Sequence, residues 1–288
     1  MVIYANCAGG ALLNMCSQHK FTRHRINVTL ISNYPASDKI FDNHMDAIRN
    51  ADFFVYQPIK RQTEWNPENI LPKLKPDCKK IKILFYRFKG FWFNNDHIPY
   101  LEYDEKYTFA YHPKYYGVSR ELLKYDNIAY ENIYKTDFKE TINKLHSPSE
   151  IKEYFYEKLD EFKTINKNVD IDMYDFFVRN YKSKQLFYDY AHPTNVFFYE
   201  LFRKLIFMVL KTVLPETDKE FLDSLSLHEN THFAIPIMPQ VAKTLELDFW
   251  EERFWVFFPQ HRTKMSIYDY LYIRLSKDNL KSYILKQA

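Results

Sequence analysis

Val2-Ile3-Tyr4-Ala5-Asn6-Cys7-Ala8-Gly9-Gly10 is the stretch on which the reading of this chain turns. Val2 to Tyr4 has the β-branched and aromatic character of a short strand, and Asn6 to Gly10 turns from it into a helical pattern running from about Gly10 to His19. A carboxamide, a thiol and two glycines thus stand where a strand ends and a helix begins. Backbone amides face outward at such junctions, and ligands of α/β proteins collect there. The chain has only 4 glycines, so two side by side point to a local backbone need.

Outward from this stretch the alternation repeats. Ile26 to Ser32 reads as a second strand ending at Asn33-Tyr34-Pro35, and Ser37-Asp38 can cap a helix to about Asn50. Ala51 to Tyr56 reads as a third strand stopped by Pro58, and Lys82 to Phe88 as a fourth. Short strands joined by helices require crossover connections, so the pattern predicts an α/β fold with a mainly parallel sheet and flanking helices. Cys7, Asn33-Tyr34, Gln57-Pro58 and the loop after Phe88 then share the sheet's carboxyl edge.

From Ser119 on, helical patterns dominate: Arg120 to Lys124, Ser149 to Phe162, Met173 to Tyr181, Thr194 to Leu214, Glu216 to Leu225 and Ser266 to Leu285. The span 229–260 fits either helix or strand. The expected organisation is an α/β core over 1–118 and a largely helical C-terminal part over 119–288, the latter bringing a histidine loop to the same site.

Composition narrows the class. Hydrophobic residues at 46% and aromatics at 18% supply a large core, while a formal charge of +3 is too small to argue for nucleic-acid binding. Cys7, Cys16 and Cys78 form neither a disulfide framework nor a metal knuckle, so no metal is expected and a reducing, cytoplasmic compartment fits. No leader is expected ahead of the first strand. Val196 to Leu210 is the most apolar run, but it carries Glu200, Arg203 and Lys204 and reads as a buried amphipathic helix, not a transmembrane segment.

Two constellations carry chemistry. Cys7 at a helix amino terminus feels the positive end of the backbone dipoles, which favours the thiolate; the structural alternative is a small residue packed beneath a turn. Asp189-Tyr190-Ala191-His192-Pro193-Thr194 is the second. Pro193 at the first position of the next helix would hold His192 just ahead of it, and Asp189 can turn back to orient the ring. Oxyanion donors for acyl transfer are sought in the amides of Ala8 or Gly9, with Gly90, Asn94 or Asn95 across the cleft. Asn6, Asn33 and Gln57 serve the same need or close strand ends. Asp170-Ile171-Asp172 has the Asp-x-Asp form of metal-dependent glycosyltransferases, yet reads better as a helix cap.

An early nucleophile followed far downstream by Asp-x-x-His is similar to the layout of SGNH or GDSL-type hydrolases and acyltransferases, with Cys7 in place of their serine and no Gly-Asp-Ser motif. A more specific likeness rests on Asn6-Cys7, Asn33-Tyr34, Ala51-Asp52-Phe53-Phe54-Val55-Tyr56-Gln57-Pro58 and His192-Pro193-Thr194 before an apolar helix. In these, over residues 1 to about 210, the chain resembles the WcbI-type family of capsular polysaccharide biosynthesis proteins. Asn6 and Cys7 match its amino-terminal motif, Gln57 the end of its third segment and His192 its His-Pro motif; Ala8 stands where the family usually has Gln.

The resemblance implies an acetyltransferase that uses coenzyme A or acetyl-coenzyme A and acts on a sugar or polysaccharide acceptor. Cys7, His192 and Asp189 would be its catalytic residues. Asn6, Ala8, Gly9 and Gln57 would line the cofactor, with Lys60, Arg61 and Arg87 near the active edge to meet its phosphates. Lys20 to Arg25 is a second basic cluster. The alternatives are an esterase or deacetylase using the same residues, and a non-catalytic partner in a capsule-assembly complex. Expected partners are the acceptor and either a second copy of the chain or that complex, the latter at the inner face of the membrane.

Overall fold

The computed structural model describes residues 1–33, 43–59, 65–92, 124–125, 128–225, 236–258 and 261–275. Its first part is β1 (Val2–Ala5), α1 (Cys7–Gln18), β2 (Thr29–Ser32), α2 (Met45–Arg49), β3 (Phe53–Tyr56), α3 (Pro67–Ile70) and β4 (Lys79–Lys82). The four strands form one sheet in the order β2-β1-β3-β4. Every pairing is parallel, with Ile3 opposite Leu30 on one side and Val55 on the other.

All four residues of β1 are buried, as expected for a central strand of a parallel sheet covered on both faces. Alternate side chains divide between those faces. Val2 and Tyr4 pack with Ile31, Ile48, Phe54 and Ile70, so α2 and α3 cover that side. Ile3 and Ala5 face the opposite way, toward Gly9 of α1. The chain leaves β1 for β2 on one side, then crosses to β3 on the other. This reversal opens a crevice at the carboxyl ends of β1 and β3.

The fourth strand lies earlier than the sequence pattern suggests. Lys79-Lys80-Ile81-Lys82 forms the ladder, and the apolar run from Ile83 follows it as irregular chain. Apolar content misleads here because β4 is an edge strand, where exposed lysines are tolerated and useful. Its end is clasped by Asp170, whose amide donates to the Lys82 carbonyl (3.0 Å) and whose Oδ2 accepts from the Lys82 amide (2.6 Å).

Beyond the sheet follow α4 (Tyr130–Ile133), α5 (Phe138–Asn143), α6 (Pro148–Asn166), α7 (Tyr174–Asn180), β5 (Phe187–Asp189) and β6 (His192–Pro193). Then come α8 (Asn195–Leu210), α9 (Lys219–Ser224), α10 (Pro239–Leu245), β7 (Arg253–Phe258), β8 (His261–Ser266) and α11 (Ile267–Leu275). The C-terminal part is largely helical, and the span that fitted either helix or strand contains α10 and β7, the latter pairing antiparallel with β8 just beyond it. No helix among the described residues is long and apolar enough to cross a membrane.

Contacts divide the chain into two interleaved units, with no single cut near residue 118. The first comprises 1–87, 160–181 and 191–228, with α8 packed on α1 and α9 on α8. The second comprises 88–159, 182–190 and 229–288. It has its own core, in which Tyr125, Phe138 and Ile142 pack with Met265, Leu271 and Tyr272.

Candidate active site

The site is built on the first turn of α1. The helix begins at Cys7, three residues earlier than the sequence pattern indicated, with Asn6 as its cap. Asn6 Oδ1 accepts from the Ala8 amide (3.1 Å), and the Asn6 carbonyl accepts from the Gly9 amide (2.8 Å). Both amides expected as oxyanion donors are thus engaged by Asn6 within the cap.

The paired glycines have separate explanations. Neither has a positive φ. A Cβ on Gly9 would lie 2.6 Å from Leu30 Cδ1 and 3.0 Å from Ala5 Cβ, so its bareness lets α1 settle closely on the sheet. A Cβ on Gly10 would meet nothing within 4 Å.

Gln57 follows β3 and is buried to 2% exposure. Its Oε1 accepts from the Asn6 amide (2.9 Å), and its Nε2 donates to the Leu84 carbonyl (2.8 Å). Its own amide donates to the Tyr4 carbonyl (3.0 Å). One side chain thus braces the exit of β1 against the chain beyond β4, across the crevice where the strand order reverses. Of the two roles foreseen for Gln57, closing strand ends is the one these bonds describe.

On this braced turn the Cys7 thiol is exposed and outside any disulfide. The other two cysteines contrast with it: both are buried, and burial pushes the Cys16 thiol up to about 12 and the Cys78 thiol upward. Only Cys7 combines access with a helix amino terminus.

Two contacts place His192. Phe197, in the first turn of α8, packs edge-on against Tyr86 at 5.1 Å, and Tyr86 lies just past the carboxyl end of β4. His19, just past the other end of α1, packs against Phe202, two turns into α8, at 5.3 Å. The helices α1 and α8, which pack on each other, therefore run in the same direction, and both amino ends stand at the carboxyl edge of the sheet. His192, half-buried in β6 just before α8, enters at the edge that carries Cys7. Pro193 does not open the helix as expected: α8 starts at Asn195 with Thr194 as its cap, and Pro193 lies in β6.

The remaining candidates fall in different places. Arg87 is exposed, with its guanidinium 4.0 Å above the Phe85 ring, just beyond the segment that Gln57 ties down. Asp189 ends β5, is fully buried and belongs to the second unit. Gly90 also belongs there, and a Cβ on it would strike the Phe88 ring at 2.6 Å, so its bareness serves aromatic packing. Tyr34, Lys60, Arg61, Asn94 and Asn95 lie outside the described residues. No group of side chains suited to a metal ion occurs among the described residues.

An exposed thiol and a histidine at one sheet edge can serve acyl chemistry, the imidazole as a base and the thiol as nucleophile or wall. Comparison with known proteins bears on which chemistry this is. A search of curated proteins gave no match. Among solved structures, the chain is similar to WcbI, described as a novel polysaccharide biosynthesis enzyme, in a native form without a disulfide bond between coenzyme A and one of its cysteines. The TM-score is 0.64 at 17% identity, covering 99% of this chain and 93% of that one, so the fold is shared. A family model for the polysaccharide biosynthesis enzyme WcbI matches residues 1–209. The chain belongs to the WcbI family of polysaccharide biosynthesis enzymes.

Proposed function

We propose that this protein transfers an acetyl group from acetyl-coenzyme A to a hydroxyl on a sugar of a capsular or surface polysaccharide, or of its precursor. The observation that carries the reading is the common sheet edge shared by the Cys7 turn and the entry to α8 at His192. The solved relative, whose description names coenzyme A beside a cysteine, supports the choice of donor.

In this reading His192 takes the proton of the sugar hydroxyl as its oxygen attacks the thioester carbonyl. The tetrahedral intermediate then collapses, breaking the carbon–sulfur bond, and the departing coenzyme A thiolate recovers the proton from His192. Cys7 either lines the thioester or first accepts the acetyl group, releasing coenzyme A before the sugar attacks the new thioester. Arg87, held on Phe85, offers a planar cation to the phosphates of coenzyme A, with Lys60 and Arg61 as further candidates.

Calorimetric titration with coenzyme A, followed by chromatographic assay of acetyl-coenzyme A consumption with saccharide acceptors, tests the proposal. The wild-type chain is expected to bind coenzyme A, and His192→Ala to lose roughly 10²–10⁴-fold in turnover while retaining that binding. Absence of coenzyme A binding by the wild type, or full turnover by His192→Ala, overturns it. An acetyl group trapped on Cys7 would assign the two-step route.

A further inference from the structure

Asp170-Ile171-Asp172 and one face of α8 line an open groove of about 410 Å³ within the first unit, apart from the Cys7 turn. We infer that this groove is a saccharide subsite, holding one pyranose unit of the acceptor by its hydroxyls and its C–H face. The inference rests on the proposed function for its choice of a sugar as ligand.

The polar part is prearranged. Asp170 Oδ2 is held by the Lys82 amide (2.6 Å) and Asp172 Oδ1 by the Tyr174 amide (2.7 Å). Each bond fixes a carboxylate and leaves its second oxygen for another donor. Both residues are exposed, and neither forms a salt bridge among the described residues. The neighbouring cations are occupied: Arg203 pairs with Glu200 and donates to the Leu214 carbonyl (3.2 Å), while Lys204 donates to the Asp172 carbonyl. A phosphate or carboxylate ligand would have to displace these internal partners. Vicinal hydroxyls can instead donate to the waiting carboxylate oxygens.

The same groove carries exposed apolar surface. Phe207 is 49% exposed and Val213 is 75% exposed, and both line it. A large apolar side chain left facing a groove that also carries polar groups suits a ligand that is amphipathic by face. A pyranose fits, because a ring face presents a patch of C–H bonds that stacks on an aromatic side chain while the hydroxyls project around its rim. The same reasoning gives Asp170 and Asp172 a role in hydroxyl recognition, with no metal required.

Saturation-transfer NMR with methyl α-D-mannopyranoside and methyl β-D-galactopyranoside tests the subsite on the full chain. At least one glycoside should receive saturation at its ring C–H protons. The signal should fall at least fivefold in Phe207→Ala and in the Asp170→Asn, Asp172→Asn double variant, whose amides keep an oxygen for the backbone bonds. Thermal melting confirms that each variant is folded. No transfer to either glycoside, or equal transfer in the folded variants, overturns the inference. Coenzyme A titration separates it from the transferase reading: glycoside binding without coenzyme A binding rejects the transferase and keeps the subsite, and the reverse result rejects the subsite alone.

Discussion

The two ends of α1 show how one helix can present chemistry and anchor it. At its amino end the backbone is fixed by hydrogen bonds, with Asn6 capping Ala8 and Gln57 gripping Asn6, so the Cys7 side chain can remain exposed. At its carboxyl end the side chain itself is enclosed. His19 is 3% exposed between the Phe202 and Phe221 rings, its Nδ1 accepts from the Phe21 amide (3.3 Å), and Thr22 Oγ1 donates to the Cys16 carbonyl (2.8 Å). Packing holds one end, and polar bracing holds the other without covering it. A reactive group needs the second kind of support, because burial would remove the access it requires.

If that contrast is right, the largest effect should come from removing the brace. Gln57→Leu orphans the Asn6 amide and the Leu84 carbonyl in a partly buried place, at about 1–3 kcal/mol for each group. Denaturant unfolding should show a loss of about 2–4 kcal/mol, and the Cys7 thiol should change its alkylation rate with iodoacetamide. A loss below about 1 kcal/mol would mean that water replaces the side chain and that no brace exists.

Next, Gly9→Ala should destabilise by about 1–3 kcal/mol through overpacking against Leu30 and Ala5. Gly10→Ala, one residue away in open space, should instead be neutral or stabilising by up to about 1 kcal/mol, because alanine favours the helix. Equal melting temperatures for the two variants would contradict the close approach assigned to Gly9. Asn6→Ala should cost about 1 kcal/mol as a lost cap, again read by denaturant unfolding, whereas Asn6→Asp should keep most of it.

The smallest effect belongs to the anchored end and is confined to acid. Burial lowers the His19 pKa, opposed by Asp218, whose Oδ2 lies 3.7 Å from Nε2. The unfolded chain therefore takes up this proton first. The His19 contribution to stability is present above its ordinary value near 6.5 and is lost as pH falls from there through the lowered folded value. His19→Phe should flatten the decline in melting temperature between about pH 7 and pH 5. An unchanged slope would show that other groups govern that window.

Much of this contrast was legible in the sequence. Val2 to Tyr4 flanked by a polar turn and an apolar helix pattern located the central strand, and Cys7 and Gln57 fell on the sheet edge that the alternation implied. What escaped notice depended on contacts distant in sequence. Gly9 and Gly10 look identical in a string of letters, and only Leu30 and Ala5 tell them apart. Lys79 to Lys82 lacked the apolar pattern of a strand because an edge strand needs it on one face at most. His19 carried no motif, since its setting comes from rings near residues 202 and 221. The division into units was equally hidden, because α8 comes back to pack on α1 after a long excursion.

The clasp at the end of β4 has a consequence for how copies of the chain meet. An open edge strand displays backbone donors and acceptors that another chain can use as a template for its own strand. Asp170 occupies both the amide and the carbonyl of Lys82, and Lys79 and Lys80 place exposed charge along the same edge. Strand-to-strand growth from β4 would have to break the clasp and bring lysines together. Crowded chains are thereby kept from zipping along this margin, a protection that matters most in a protein so rich in aromatic side chains.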